Sequence, residues 1–130
     1  MQNFVDDLLY KEECFAIVGL CMKIHKSLGK GFKEVVYKDA LEIELKKGKI
    51  EYKKEHPFNI IYEGVVLNHC FVADFFVFDS IILEIKSASQ IHPANFKQTI
   101  NYLKASQIKL GLLINFGEDR LKFQRIICTY

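Results

Sequence analysis

No stretch of this chain approaches the roughly 18–20 consecutive apolar residues that cross a bilayer. Its first ten residues, MQNFVDDLLY, are acidic where a secretory leader is basic. A cytoplasmic protein without a membrane span is therefore expected. The four cysteines, Cys14, Cys21, Cys70 and Cys128, contain no Cys-x-x-Cys pair, and no histidine stands at zinc-finger spacing. That pattern excludes a zinc module and predicts buried free thiols in a reducing compartment. Linkers, repeats and low-complexity tracts are absent. So are a Gly-x-Ser-x-Gly elbow and a phosphate-binding glycine loop, because Gly29-Lys30-Gly31 lacks the residues that should follow. Neither Cys14 nor Cys70 has the base signal of a nucleophile. The net charge is only +2. It neither requires nor forbids a nucleic-acid partner, since a local basic patch counts for more than the sum.

What is present bounds the answer further. A chain of 130 residues reads as one domain, 1–130, large enough to bury a core without staples. It is 50% hydrophobic and 26% charged, the balance of a soluble globular protein. Lys23, Lys26, Lys30, Lys33, Lys46, Lys47, Lys49, Lys53 and Lys54 crowd the first half. A solvated lysine-rich face explains them more simply than a phosphate track.

Periodicity predicts a helix over about 3–28. Phe15, Val18, Met22 and Lys26 lie on one line, with Ile17, Leu20, Cys21 and Ile24 beside it. Gly29 and Gly31 end it. A second helix runs over about 33–47 and stops at Gly48. Strands follow over 52–62 and 65–78, joined at Glu63-Gly64, a hairpin signal. Residues 81–86 form a short apolar strand of central character. Pro93 opens a third helix over about 93–105. Strands over 109–115 and 121–128 complete the chain. The order α-α-β-β-β-α-β-β describes a mixed sheet with helices packed on it, an α/β or α+β sandwich.

The chemistry sits at the ends of two adjoining apolar strands: Asp74 in FVADFFVF, then Glu84 and Lys86 in SIILEIKS. Charges so deep in apolar strands are costly unless paired or bound to metal. Glu84 and Lys86, two apart, share a face. Two carboxylates and an amine on one face can hold a divalent cation and orient a water, the requirements of metal-dependent phosphodiester cleavage. Register decides whether Asp74 joins them. A two-residue turn at Asp79-Ser80 would pair Phe75 with Glu84 and turn Asp74 away. A shared face therefore requires an odd loop, such as Phe78 to Ser80, or a bulge.

Other residues are candidates with plainer alternatives. Glu34 heads a stripe with Tyr37, Leu41 and Leu45 near the second helix's N-terminus, where a glutamate also simply favours the dipole. Gln98 and Tyr102 share a face of the third helix apart from the apolar stripe of Phe96, Ile100 and Leu103. They are either an exposed amide with a half-buried tyrosine, or two groups reaching over the sheet to position water and touch phosphate. His25, His56 and His69 read as surface or structural residues. His92, beside the third helix, lies where it could touch substrate.

Taken in order, Gly31-Phe32-Lys33-Glu34-Val35-Val36-Tyr37, Tyr62-Glu63-Gly64, Ala73-Asp74, Glu84-Ile85-Lys86, the run from Gln98 to Lys104 and the run from Gly111 to Gly117 resemble the GxxExxY protein family. That family is placed in the PD-(D/E)xK nuclease superfamily. The likeness covers about 18–127. It implies a restriction-endonuclease-like mixed sheet flanked by helices, core order αβββαβ, here with an extra N-terminal helix. It further implies Asp74, Glu84 and Lys86 as the catalytic triad, Glu34 as the acid of the first core helix, and Gln98 with Tyr102 as the motif of the second. Alanine stands before Asp74 in place of the motif's proline, and Val72 where relatives often carry arginine. The implied activity is that of a Mg²⁺-dependent nuclease. Asp74, Glu84 and the Ile85 carbonyl would ligate Mg²⁺ or Mn²⁺, with Glu34 as a further candidate ligand, and Lys86 would orient the water. The implied partner is DNA or RNA. A catalytically silent module that binds nucleic acid or protein is the alternative. An assembly role through Phe71, Phe75, Phe76 and the last strand, and a homodimer, are further readings.

Overall fold

The structure, a computed structural model, describes residues 9–129. Two helices, α1 (Lys11–Leu28) and α2 (Glu34–Lys47), precede the strands β1 (Tyr52–Tyr62), β2 (Val65–Val77) and β3 (Ile81–Lys86). Helix α3 (Pro93–Ser106) leads to β4 (Leu110–Asn115) and β5 (Lys122–Ile127). The strands form one sheet in chain order. Only β3 and β4 are parallel, and α3 is the crossover between them. The segment from α2 to β4 is the αβββαβ core, with α1 before it and β5 after it.

Local chemistry sets these bounds. Glu12 and Glu13 open α1 and His25 and Lys26 close it, each matched to the helix dipole. Pro93 begins α3 behind a reciprocal cap in which the His92 N–H donates to Asn95 Oδ1 at 3.0 Å. That contact gives His92 a capping role. Strands β3 and β4 are apolar almost throughout because both faces are covered. On one side of the sheet Cys14, Ile17, Cys21 and Ile24 of α1 and Tyr37, Leu41 and Leu45 of α2 pack on Phe75, Val77, Leu83, Ile85 and Ile114. On the other, Leu103 of α3 packs with Phe71, Ala73, Phe76, Ile82, Leu113 and Ile126.

Three expectations need correction. Leu9 and Tyr10 form a turn, with Tyr10 at φ 50°, so α1 starts at Lys11; residues 1–8 of the expected helix lie outside the described residues. Phe15 and Met22 face solvent, because apolar residues encircle α1 and the sheet takes the line Cys14, Ile17, Val18, Cys21 and Ile24. Cys70 is an exposed thiol, whereas Cys14, Cys21 and Cys128 are buried and free as expected.

The long β1–β2 hairpin changes faces partway along. Phe75 and Val77 pack towards α1 and α2, yet Phe71 and Ala73, of the same parity, pack towards α3. In β1 Tyr52 lies with the first group, and Phe58 and Ile60 with the second. The switch falls between the pairs Lys54–Phe75 and His56–Ala73, where Glu55 adopts φ 52°. Asp74 stands at this crossover.

Two buried polar side chains tie loops to the sheet. The Tyr37 hydroxyl donates to the Gly29 carbonyl at 2.6 Å and accepts from the Phe32 N–H, while its ring stacks on Phe116. Asn115 clamps the chain after β3 by accepting from the Ala88 N–H and donating to the Ala88 carbonyl, both at 2.9 Å. Gly111 lets α3 settle onto β4, since a Cβ there would lie 2.7 Å from Thr99 Cγ2. Gly111→Ala should cost about 1–3 kcal/mol in urea unfolding through overpacking. Adding Thr99→Ser, which removes the obstructing methyl, should recover most of the loss.

Candidate active site

The loop between β2 and β3 has the odd length that a shared face demands. Val77 pairs with Ile81, Phe76 with Ile82 and Phe75 with Leu83, leaving the three-residue loop Phe78–Ser80. Phe78 and Asp79 adopt φ 57° and 53°, and the Ser80 N–H closes the turn on the Val77 carbonyl at 3.1 Å. One further step of this register sets Asp74 across from Glu84. There the backbone ladder gives way to a side chain: Asp74 Oδ2 accepts the Ile85 N–H at 2.7 Å. The strands thus part where the acids stand, with one carboxylate satisfying a backbone donor.

Glu84 is 6% exposed. It shares a hydrogen bond with Asp74, and its Oε1 is buried with no hydrogen-bond partner among the described residues. Burial above all, then the charge of Asp74 and the bond between them, push its carboxyl up to about 9; Lys86 and Lys38 pull it down without prevailing. The metal-free pair therefore holds a shared proton at neutral pH.

Lys38 of α2, which the sequence did not single out, contacts Asp74 directly. Its side chain is 14% exposed, and its Nζ lies 3.1 Å from Asp74 Oδ1 and 2.5 Å from Glu55 Oε1. Burial alone would lower its pKa, but Glu55 and Asp74 outweigh that and raise it, so the ammonium stays charged. Its only sequence signals are its place beside buried Tyr37 and one turn beyond Glu34.

Among the expected residues, the structure brings Asp74, Glu84, Lys86 and Tyr102 together. Lys86 ends β3 half-buried, and its charge acts on Glu84. The Tyr102 ring stacks on Phe71 at 4.1 Å. Burial first, then the charges of Glu84 and Asp74, raise its hydroxyl pKa. Glu34 is exposed on the first turn of α2, and Gln98 is exposed on α3. Among the described residues no third acidic, histidine or cysteine side chain joins the pair in a set able to hold a metal ion. The lysine-rich first half is partly neutralised by acids: Lys23 pairs with Glu44, Lys30 with Asp119, and Lys54 with Asp39 and Glu42. That supports a solvated face over a phosphate track.

Comparison with known proteins bears on the family and the fold. Residues 11–126 match the family model described as the PD-(D/E)XK nuclease superfamily. The fold is similar to the crystal structure of SSO0001 (TM-score 0.59, 20% identity), with 95% of this chain covered and 62% of that one. It is also similar to an alkaline exonuclease, LHK-Exo, from Laribacter hongkongensis (TM-score 0.54, 10% identity), with 90% and 69% covered. At these identities the likeness is one of fold, and this chain spans less than two-thirds of SSO0001. No curated protein matches the sequence significantly.

The raised Glu84 pKa has a definite sign. A carboxyl held at about 9 when folded and near 4.5 when unfolded favours the fold below about 4.5, and that contribution is lost as pH climbs to about 9. Thermal melts in EDTA should show Tm falling between about pH 5.5 and 9, and Glu84→Gln should flatten the slope.

Proposed function

The chain belongs to the PD-(D/E)XK nuclease superfamily, and on that premise we propose that it hydrolyses phosphodiester bonds in nucleic acid with a Mg²⁺ or Mn²⁺ ion. The observation that carries this reading is the unpartnered Glu84 Oε1, buried beside a second carboxylate at the open end of a strand pair. A buried carboxylate oxygen without a donor is costly, and a hard divalent cation answers it. The donor set fits such an ion. Asp74 and Glu84 would hold it, with the Ile85 carbonyl as main-chain ligand. Two protein carboxylates suffice for Mg²⁺, which keeps several waters.

Bound there, such an ion supplies Lewis acidity to a phosphate oxygen and makes a water more acidic. The remaining roles belong to side chains. Lys86 orients the attacking water and offsets phosphate charge. The raised pKa of Tyr102 keeps its hydroxyl protonated, able to donate to a phosphate oxygen. Glu34 and Gln98 are proposed to approach only with substrate, Glu34 as an outer acid of the centre and Gln98 as a water-positioning amide. Lys38 balances Asp74 while the site lacks a divalent ion, and Glu55 retains it when Asp74 is taken by metal.

Mn²⁺ should raise the Tm of the wild type, and Asp74→Asn should abolish that shift in differential scanning fluorimetry. Single-stranded and duplex DNA and RNA, incubated with Mn²⁺ or EDTA, should be cut only with metal. Lys86→Ala should lose cleavage while keeping the Mn²⁺ shift. Binding without cleavage in the wild type would instead make the chain a silent nucleic-acid-binding module. Lys38→Met removes a competing cation and should tighten Mn²⁺ binding about threefold to tenfold by calorimetry; a lysine that is only a strut would leave affinity unchanged.

A further inference from the structure

Phe32 is a large aromatic residue left 46% exposed, yet both polar atoms of its backbone are fixed by side chains. Its N–H donates to the Tyr37 hydroxyl at 3.3 Å, and its carbonyl accepts the Ser87 hydroxyl at 2.6 Å. Tyr37 is wholly buried and bonds the Gly29 carbonyl in turn, so the loop between α1 and α2 is anchored on the core. Gly31 adopts φ 111°, a conformation closed to ordinary side chains, on the way to this anchorage. The Phe32 ring meets Tyr37 edge-on, 6.2 Å between centroids.

Single apolar side chains on a surface are ordinary. This one is held where the chemistry is. Ser87 follows Lys86, so Phe32 stands beside the end of β3, and Glu34 is two residues further on. A ring fixed rigidly at the rim of a site is a platform for a flat partner.

Charge narrows that partner. Lys33, at the N-cap of α2, is exposed and has no acidic partner among the described residues. An open groove of about 400 Å³ adjoins the loop, lined by Lys30, Ser89, Arg120 and Lys122 among others. Two acids share it, but Asp119 is taken by Lys30 at 2.7 Å and Glu118 accepts from Asn115 Nδ2 at 2.9 Å. Arg120 and Lys122 have no acidic partner among the described residues. A bare ring next to unpaired cations matches a nucleotide, which joins a flat base to an anionic phosphate. An apolar protein segment would leave those cations unmatched.

We propose that Phe32 stacks a nucleobase of the substrate strand beside the phosphate to be cleaved, with Arg120 and Lys122 taking phosphates further along. The partner rests on the nuclease reading, and the ring deepens it to a substrate class. Inside a duplex both faces of each base are covered by neighbours, so a stacking ring selects strands with unpaired bases.

Binding is measured by fluorescence anisotropy in the Lys86→Ala background, where no cutting is needed. A single-stranded oligonucleotide should bind about tenfold tighter than an abasic strand of equal length, which has the same phosphates and no bases. Phe32→Leu, which keeps an apolar contact with Tyr37, should erase that preference without lowering Tm, and Phe32→Tyr should retain it. Relaxed circular duplex DNA, which offers no unpaired base, should bind Phe32→Leu as it binds the parent. Arg120→Ala and Lys122→Ala should keep the preference and each reduce the salt slope of log Kd by about 0.7. Val35→Ser, at an exposed apolar neighbour without a ring, should change nothing. The proposal fails if Phe32→Leu keeps the preference, if Val35→Ser erases it equally, or if circular duplex loses as much as the single strand. Cleavage by the wild type without any base preference would overturn this proposal alone. A preference carried by Phe32 in a wild type that never cuts would overturn the nuclease reading and uphold the stacking.

Discussion

Two acids in contact where two buried strands part cannot both carry their charge unless something positive lies with them. Asp74 and Glu84 are in that position, and much of the molecule is arranged around the conflict. Asp74 is the better provided of the two: one oxygen accepts the Ile85 N–H and the other faces the Lys38 ammonium. Glu84 is left to share a proton and to keep one oxygen unmatched. Such a pair is a poor device for stability. Apolar residues there would continue the cores above and below, and the strain of holding acids instead is best understood as kept for use.

The change of face in the hairpin explains how helices on opposite sides of the sheet reach one point. Helix α2 packs on the Phe75 and Val77 side, and α3 on the Phe71 and Ala73 side. At Asp74 these faces meet, so Lys38 arrives from one layer and Tyr102 from the other. A flat hairpin would have given the carboxylates company from a single layer.

Much of this could be read from the residues. Strands β1 and β3 fall where alternation and turn signals put them, because Glu63-Gly64 and the apolar runs are strong local cues. The odd loop followed from requiring Asp74 and Glu84 to share a side. What escaped has a common physical cause. The partners of Lys38 lie 17 and 36 positions away and meet it only once α2 is packed. The buried side of α1 was misjudged at Phe15 and Met22 because its apolar residues run right round the helix. Cys70, expected to be a buried thiol, is exposed because it lies on the part of β2 beyond its pairing with β3.

The loop Phe78–Ser80 carries a heritable consequence. Two of its positions, Phe78 and Asp79, must tolerate the left-handed conformation, and Phe78 must also pack against the core. Its length is held more strictly still. Loss or gain of a single codon would roll the following strand over, sending Glu84 into the packing of the first two helices and Ile85 to the side that α3 covers. Interior and chemistry would be lost in the same event, so natural lineages should vary this turn in letters and conserve it in count.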